Sequence, residues 1–153
     1  MPVIRAATLD DVPALLLIEQ KAASAAHWTH EQYERRVVEG LILVAEEVAG
    51  EEPQEPGSIR GFVCARVVAG EWEIENIVVA EEMRRRGIAD ELLREFVRRA
   101  RTQNATAVWL EVRESNVPAR RLYEKHGFHE SGRRRGYYGN PAEDAMVYVF
   151  RLT

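Results

Sequence analysis

The sequence predicts an α/β domain of the α+β kind, with one mixed, mainly antiparallel sheet and helices on both of its faces. Three observations lead there. Apolar, β-branched runs and amphipathic stretches follow one another in the order β-α-α-β-β-β-α-β-α-β-β, bounded by Gly, Pro or charged turns. One helical stretch, opening near residue 88, lies between two strands and has to cross over, so that strand pair is parallel. The 153 residues are 46% hydrophobic and 30% charged, which suits a single domain with a real core and a solvated surface.

Residues 3–7 are short and partly alternating, as suits an edge strand. Thr8 before Asp10 and Asp11 is a helix-start signal, with acids near the positive end of the dipole. Val12, Leu15, Leu16, Ile18 and Glu19 then carry an amphipathic helix toward Ala25. His27, Trp28 and Thr29 interrupt it, and Thr29 caps a second helix over residues 30–38 with Gln32 as capping-box partner. After Gly40, residues 41–48 read as a strand and residues 50–58 (GEEPQEPGS) as a surface loop. Ile59–Val68 and Glu71–Val79 are the next strands, turning near Ala69 and Gly70. Beyond Gly87, Ile88, Leu92, Leu93, Phe96, Val97 and Ala100 share one helical face. Residues 107–112 form an apolar strand. Asn116 caps a helix over 117–126, with Pro118 in its first turn and Gly127 at its end. Residues 128–138 and 145–152 are the last strands, separated by Gly139, Asn140 and Pro141. No repeat or linker divides residues 1–153.

A formal net charge of -4 gives no whole-domain reason to expect nucleic acid as a partner. The one cysteine, Cys64, cannot form an internal disulfide, and its apolar neighbours suit a core thiol. His27, His30, His126 and His129 lack the spacing and partners of a zinc set, so no metal is expected. No apolar run approaches the ~18 residues of a membrane span. The N-terminus lacks a signal peptide's pattern, so no membrane partner and a cytoplasmic location are expected.

The strongest local chemistry is Arg84, Arg85, Arg86, Gly87, Ile88, Ala89 and Asp90, which follow a strand and open a helix. The first N–H groups of a helix lack intrahelical partners and, with the dipole, form an anion site. Gly87 and Ala89 leave room for a phosphate to approach the backbone, and the arginines add charge. The pattern is neither a Walker P-loop nor a Rossmann G-x-G-x-x-G.

Arg84-x-x-Gly87-x-Ala89 resembles the acetyl-CoA signature R/Q-x-x-G-x-G/A of the GNAT superfamily of N-acetyltransferases. Trp109 to Asn116 (WLEVRESN), Ala119, Leu122 to Lys125 (LYEK), Gly127 and Phe128 resemble the block of its RimI-type group, the ribosomal-protein-alanine N-acetyltransferases. Ile18 to Gln20, Trp28, the Tyr137–Tyr138 pair and Glu143 to Ala145 extend that similarity over nearly the whole chain. The resemblance implies acetyl-CoA as co-substrate. Loop N–H groups would hold its pyrophosphate, and the backbone of Ile77, Val78 and Val79 would pair with the pantetheine arm over a splayed strand pair. Asn116, besides capping its helix, would bond the pantetheine. Asp90 departs from the usual small or basic residue, and its carboxylate is expected to turn outward, away from a bound phosphate.

Acetyl transfer needs a neutral amine. An α-amino group with a pKa near ~8 costs roughly 1.4 kcal/mol to neutralise at pH 7, whereas a lysine at ~10.4 costs about 4.6 kcal/mol. A modest carboxylate base suits the first. Glu111, at a strand end beside the expected co-substrate, is the candidate, with Glu73 and Glu75 on the preceding strand as rivals. Tyr123 matches the family tyrosine that points at the thioester sulfur, and would protonate the leaving thiolate. Trp28 and Tyr138 are the expected walls of a groove for a peptide N-terminus. Tyr137, next to Tyr138 on a strand, should point to the other face, and Arg133 and Arg135 should share a solvated one. The acceptor is then a protein or peptide N-terminus, with a small amine, or simple acyl-CoA binding without catalysis, as alternatives.

Overall fold

The computed structural model describes residues 2–22, 27–47, 58–139 and 141–152. Its strands are β1 (Pro2–Ala6), β2 (Leu41–Glu47), β3 (Ile59–Val68), β4 (Glu71–Val79), β5 (Ala107–Arg113), β6 (His129–Gly139) and β7 (Ala142–Arg151). They form one sheet in the order β1-β2-β3-β4-β5-β7-β6. The α-helices among the described residues are α1 (Val12–Gln20), α2 (His30–Glu39), α3 (Ile88–Thr102) and α4 (Val117–Lys125). β4 and β5 pair in parallel, as the α3 crossover requires, and every other neighbour pair is antiparallel.

Element order and type follow the sequence expectation, and the differences lie at ends. The first helix is preceded by a 3-10 turn over Leu9–Asp11, and α1 stops at Gln20 instead of running toward Ala25; residues 23–26 lie outside the described residues. Pro13 sits in the first turn of α1, where its missing N–H costs nothing. β7 starts at Ala142, three residues early, because the Tyr138↔Glu143 and Gly139↔Ala142 pairs carry the ladder to the turn. Acidic Glu143 and Asp144 hide that stretch from an apolar pattern. The loop expected over residues 50–58 lies, apart from Ser58, outside the described residues, as does Asn140.

The sheet buries both faces. Leu43, Val63, Trp72, Ile74 and Leu110 meet the stripe Ile88, Leu92, Leu93, Phe96 and Ala100 of α3 on one side. Ile42, Val44, Phe62 and Cys64 meet Val12 and Leu15 of α1 and Tyr33 of α2 on the other. Strands β2 and β3 are therefore apolar at successive positions and not only at alternate ones. Burial pushes the Cys64 thiol well above its ordinary pKa, which leaves it a core group.

Arg5 of β1 ties the sheet edge to the chain entering α1. It donates to both oxygens of Asp11, at 2.8 and 3.0 Å, and to Glu46 of β2. The hydrogen bonds from Arg5, opposed by partial burial, hold the Asp11 carboxyl below the usual carboxylate range. A depressed carboxylate adds stability that is present above its unfolded pKa, near ~3.9, and is lost as pH falls through the lower folded value. Asp11→Asn should therefore be about 1–2 kcal/mol less stable than wild type in urea at pH 7, with the gap closing by pH 2. An equal gap at both pH values would refute the assignment.

Candidate active site

The site begins where two strands part. β4 and β5 are in register over Trp72↔Val108, Glu73↔Trp109 and Ile74↔Leu110, and no further. Beyond that point β4 keeps its ladder with β3 as far as Val79, and β5 keeps its ladder with β7 as far as Arg113. A bulge at Glu75, between the Ala65↔Ile74 and Cys64↔Asn76 pairs, turns β4 away. A cleft of about 380 Å³ opens in the gap. Ile74 to Ile77 line it from β4, Leu110 to Arg113 from β5, Asn116, Ala119 and Tyr123 from α4 and its cap, and Tyr138 from β6. The β4 edge after Ile74 faces the cleft with ladder groups that β5 does not take. Of the residues expected along that edge, Ile77 lines the cleft, Val79 is half-buried, and the Val78 side chain is buried in the α1–α2 core, leaving only its backbone for a ligand.

Past β4 the chain makes a 3-10 turn, Glu81–Met83, and residues 84–86 stay exposed. Arg85 (φ 64°) and Gly87 (φ 81°) are both left-handed. A Cβ on Gly87 would meet no atom within 4 Å, so its backbone angle, and not crowding, calls for glycine. The first turn of α3 follows at once, its first ladder bond running from Glu91 N–H to the Gly87 carbonyl at 3.1 Å. The N–H groups of Ile88, Ala89 and Asp90 have no intrahelical acceptor.

Asp90 does not turn into solvent. Its Oδ1 lies 2.8 Å from both Lys125 Nζ and His126 Nε2 at the far end of α4. Partial burial works to raise this carboxyl, but the hydrogen bonds from Lys125 and His126 outweigh it and hold the pKa below the ordinary value. The acid that looked misplaced beside an anion site is neutralised there, and it clamps the start of α3 to the end of α4.

Helix α4 brings two further groups to the cleft. Asn116 caps it, accepting from Ala119 N–H at 3.3 Å, and also lines the cleft. Tyr123 is buried against Phe128 and Tyr148, with ring centroids 5.9 and 6.4 Å away. Burial, and then the nearby Tyr138, push its phenol well above the ordinary tyrosine value.

Glu111 lines the opposite wall, its side chain 9% exposed, with Arg134 Nε 2.9 Å from Oε1. The charge of Glu111 is the main cause of the raised Tyr137 phenol. The expectation that Tyr137 and Tyr138 point to opposite faces is corrected. The β6–β7 register breaks between Arg134 and Tyr138, Gly136 adopts φ 61°, and the two rings meet edge to face at 5.1 Å. Alternation holds only in a regular ladder, and the bulge removes it. Tyr138 is half-buried under the Arg113 guanidinium, 4.2 Å from its ring centre. The chemistry of Arg134 was missed by sequence reasoning. The signal for it was Gly136, a glycine inside a strand pattern, which marks a bulge. Arg133 of the same run pairs with Glu114 and Asp144 at 3.1 and 3.0 Å instead of facing only solvent.

The rival acids are already held. Glu73 accepts from Arg66 at 2.8 Å, and Glu75, which lines the cleft, is bound through both oxygens by Arg36 of α2. Trp28 is not among the cleft-lining residues. Its ring lies 5.2 Å from Tyr33 and under Arg36, so it reaches the cleft only through the Arg36–Glu75 pair. Among the described residues no cluster of three or more His, Cys, Asp or Glu is placed to hold a metal ion.

A strand pair splayed over a cleft, an N–H-rich helix start behind it and acid and phenol groups across it form the arrangement of a GNAT-type transferase. The Acetyltransferase (GNAT) family model matches residues 13–128, and this chain belongs to that family. It is an N-acetyltransferase. Over 150 residues it is 32% identical to the [ribosomal protein bS18]-alanine N-acetyltransferase of Salmonella typhimurium, covering 94% of this chain and 93% of that protein. The crystal structure of the Escherichia coli ribosomal-protein-S18-alanine N-acetyltransferase superposes with a TM-score of 0.83 at 29% identity, over 100% of this chain and 95% of that one. Arabidopsis thaliana NAA60, solved in complex with acetyl-CoA, shares the fold with a TM-score of 0.89 at 22% identity, over 99% and 100% of the two chains.

The segment that carries Trp28 depends on a buried acid. Glu19 of α1 is 2% exposed, accepts from the Tyr33 hydroxyl, and accepts from Trp28 N–H at 2.9 Å. Glu19→Ala would leave both donors without an acceptor. A loss of about 2–4 kcal/mol in urea unfolding is expected; a loss below about 0.5 kcal/mol would show that the network does not hold the segment.

Proposed function

We propose that this N-acetyltransferase takes acetyl-CoA along the open edge of β4 and transfers the acetyl group to the α-amino group of a protein N-terminus, of the alanine-starting kind that its relatives are named for. The observation that carries the reading is the cleft itself, in which Glu111 of β5 and Tyr123 of α4 line the same gap that exposes the β4 edge. Backbone N–H groups at the start of α3, with Arg84, Arg85 and Arg86, supply the positive end for a pyrophosphate. Ile77, Val78 and Val79 offer ladder groups to an amide-bearing arm, and Asn116 offers its amide at the cleft wall. Tyr138, with Tyr137 behind it, forms the acceptor-side wall.

Glu111 accepts one proton from the arriving ammonium, which leaves a neutral amine. The amine nitrogen forms its bond to the thioester carbonyl carbon, and the C–S bond breaks as the tetrahedral adduct collapses. Tyr123 gives its proton to the departing thiolate and recovers one from the acylated nitrogen, so the products are an amide, free thiol and the proton held by Glu111. The buried phenol suits the donor role, since its raised pKa keeps it protonated at neutral pH. An α-amino group asks little of a carboxylate base. Glu111 is preferred to Glu75 because its partner Arg134 is exposed and free to leave, whereas Arg36, which holds Glu75, is itself largely buried.

Thiol release measured with an alanine-starting peptide should exceed that with small amines at equal concentration. Equal or faster turnover of a small amine would refute the acceptor. Tyr123→Phe should lower kcat roughly 100-fold while the Kd for acetyl-CoA stays within about twofold; an unchanged kcat would end the donor role. Glu111→Gln should lower kcat/KM at pH 7 by about 10- to 100-fold; an unchanged kcat/KM would end the base role.

A further inference from the structure

Glu111 does not stand open in the empty protein. The bulged stretch of β6, residues 134–138, supplies Arg134, which pairs with Oε1 at 2.9 Å. Tyr137 of the same stretch stands close enough for the Glu111 charge to raise its phenol. A substrate ammonium that is to give Glu111 its proton competes with the Arg134 guanidinium for that carboxylate. Both carry one positive charge, and they repel each other across a side chain that is 9% exposed.

We propose that Arg134 is a displaceable counter-ion of Glu111: it covers the carboxylate in the empty enzyme and yields its place to the α-ammonium of the acceptor. The inference rests on Glu111 as the base and deepens that reading, since it makes acceptor selection an exchange of one cation for another. The structure shows why Arg134 can yield while its neighbours stay. Its side chain is 55% exposed. The backbone on either side is held, Arg133 by Glu114 and Asp144, and Gly136 N–H by Asp144 Oδ1 at 2.8 Å. The guanidinium already lies 5.4 Å from the centre of the Tyr137 ring, a cation–π position that remains available when the ion pair opens.

The other charged groups near Glu111 are committed elsewhere. Glu73 and Glu75 of β4 are held by Arg66 of β3 and Arg36 of α2. Arg113, on the same strand as Glu111, pairs with Glu143 of β7 and lies over Tyr138. Tyr123 of α4 stays a neutral phenol. Arg134 is thus the cation whose loss changes the field at Glu111 most directly.

Arg134→Gln tests the idea. With its competitor gone, the KM for an alanine-starting peptide should fall about three- to tenfold, while the KM for acetyl-CoA stays unchanged. Arg134→Lys should return the peptide KM toward wild type. A peptide KM that rises or stays level in Arg134→Gln would overturn the proposal and leave Arg134 a surface ion pair. The Arg134 Nε–H resonance of the wild-type protein gives a second measurement that needs no folded variant. It should shift when peptide saturates the complex with CoA, and an unmoved resonance would be equally fatal. If Glu111→Gln keeps full activity, the base assignment fails instead, and that outcome is separate from the behaviour of Arg134.

Discussion

A hydrogen-bonded ladder has no room for a ligand between its strands, so the function of this protein depends on one ladder that stops. β4 and β5 leave register after Ile74 and Leu110, and the bulge at Glu75 sends β4 off along β3. The gap can stay open because each strand keeps its other neighbour, which fixes both edges without closing them. The parting places several groups of the proposed site. Ile77 and Glu111 stand on its two edges, while Asn116 and Tyr123 reach it from the helix that follows β5.

Charge pairing sets what moves and what does not. Asp90 bonds Lys125 and His126 and thereby joins the start of α3, where an anion would bind, to the helix that carries Tyr123. An acid beside a phosphate site would repel the ligand if left bare; committed to two basic partners it becomes part of the scaffold. Arg36 binds Glu75 with both side chains largely buried, a pair costly to break. Arg134 and Glu111 make the same kind of pair, but there only the carboxylate is buried and solvent can take over the arginine, which is 55% exposed. The burial of the arginine, and not the chemistry of the pair, separates the two.

Much of the fold was legible in the sequence because its elements are locally consistent. The stripe of α3, the Thr29–Gln32 capping box and the paired limits of β3 and β4 follow from periodicity and turn chemistry alone. The early start of β7 has a physical cause: acidic residues are carried to the hairpin turn by their partner strand. The same holds at the site. Asn116 was identifiable as a cap and Gly87 as the residue that opens a helix, but the left-handed angle of Gly87 was not. The joint position of Tyr137 and Tyr138, the partner of Asp90 and the cover over Glu111 were not, because each depends on a bulge or on a residue far away in the chain.

The sequence by itself determined which segments are strands and helices, the parallel crossover through α3, the helix start that follows the arginine run and the family that the motifs resemble. These are local properties, written in spacings of two, three and four residues. Only the tertiary structure decided that β4 and β5 separate after three paired positions, that Asp90 reaches 36 residues along the chain to His126, and that Arg134 covers Glu111. Such contacts join residues whose separation carries no periodic signal. They exist because sheet register and one bulge bring distant side chains within hydrogen-bond reach.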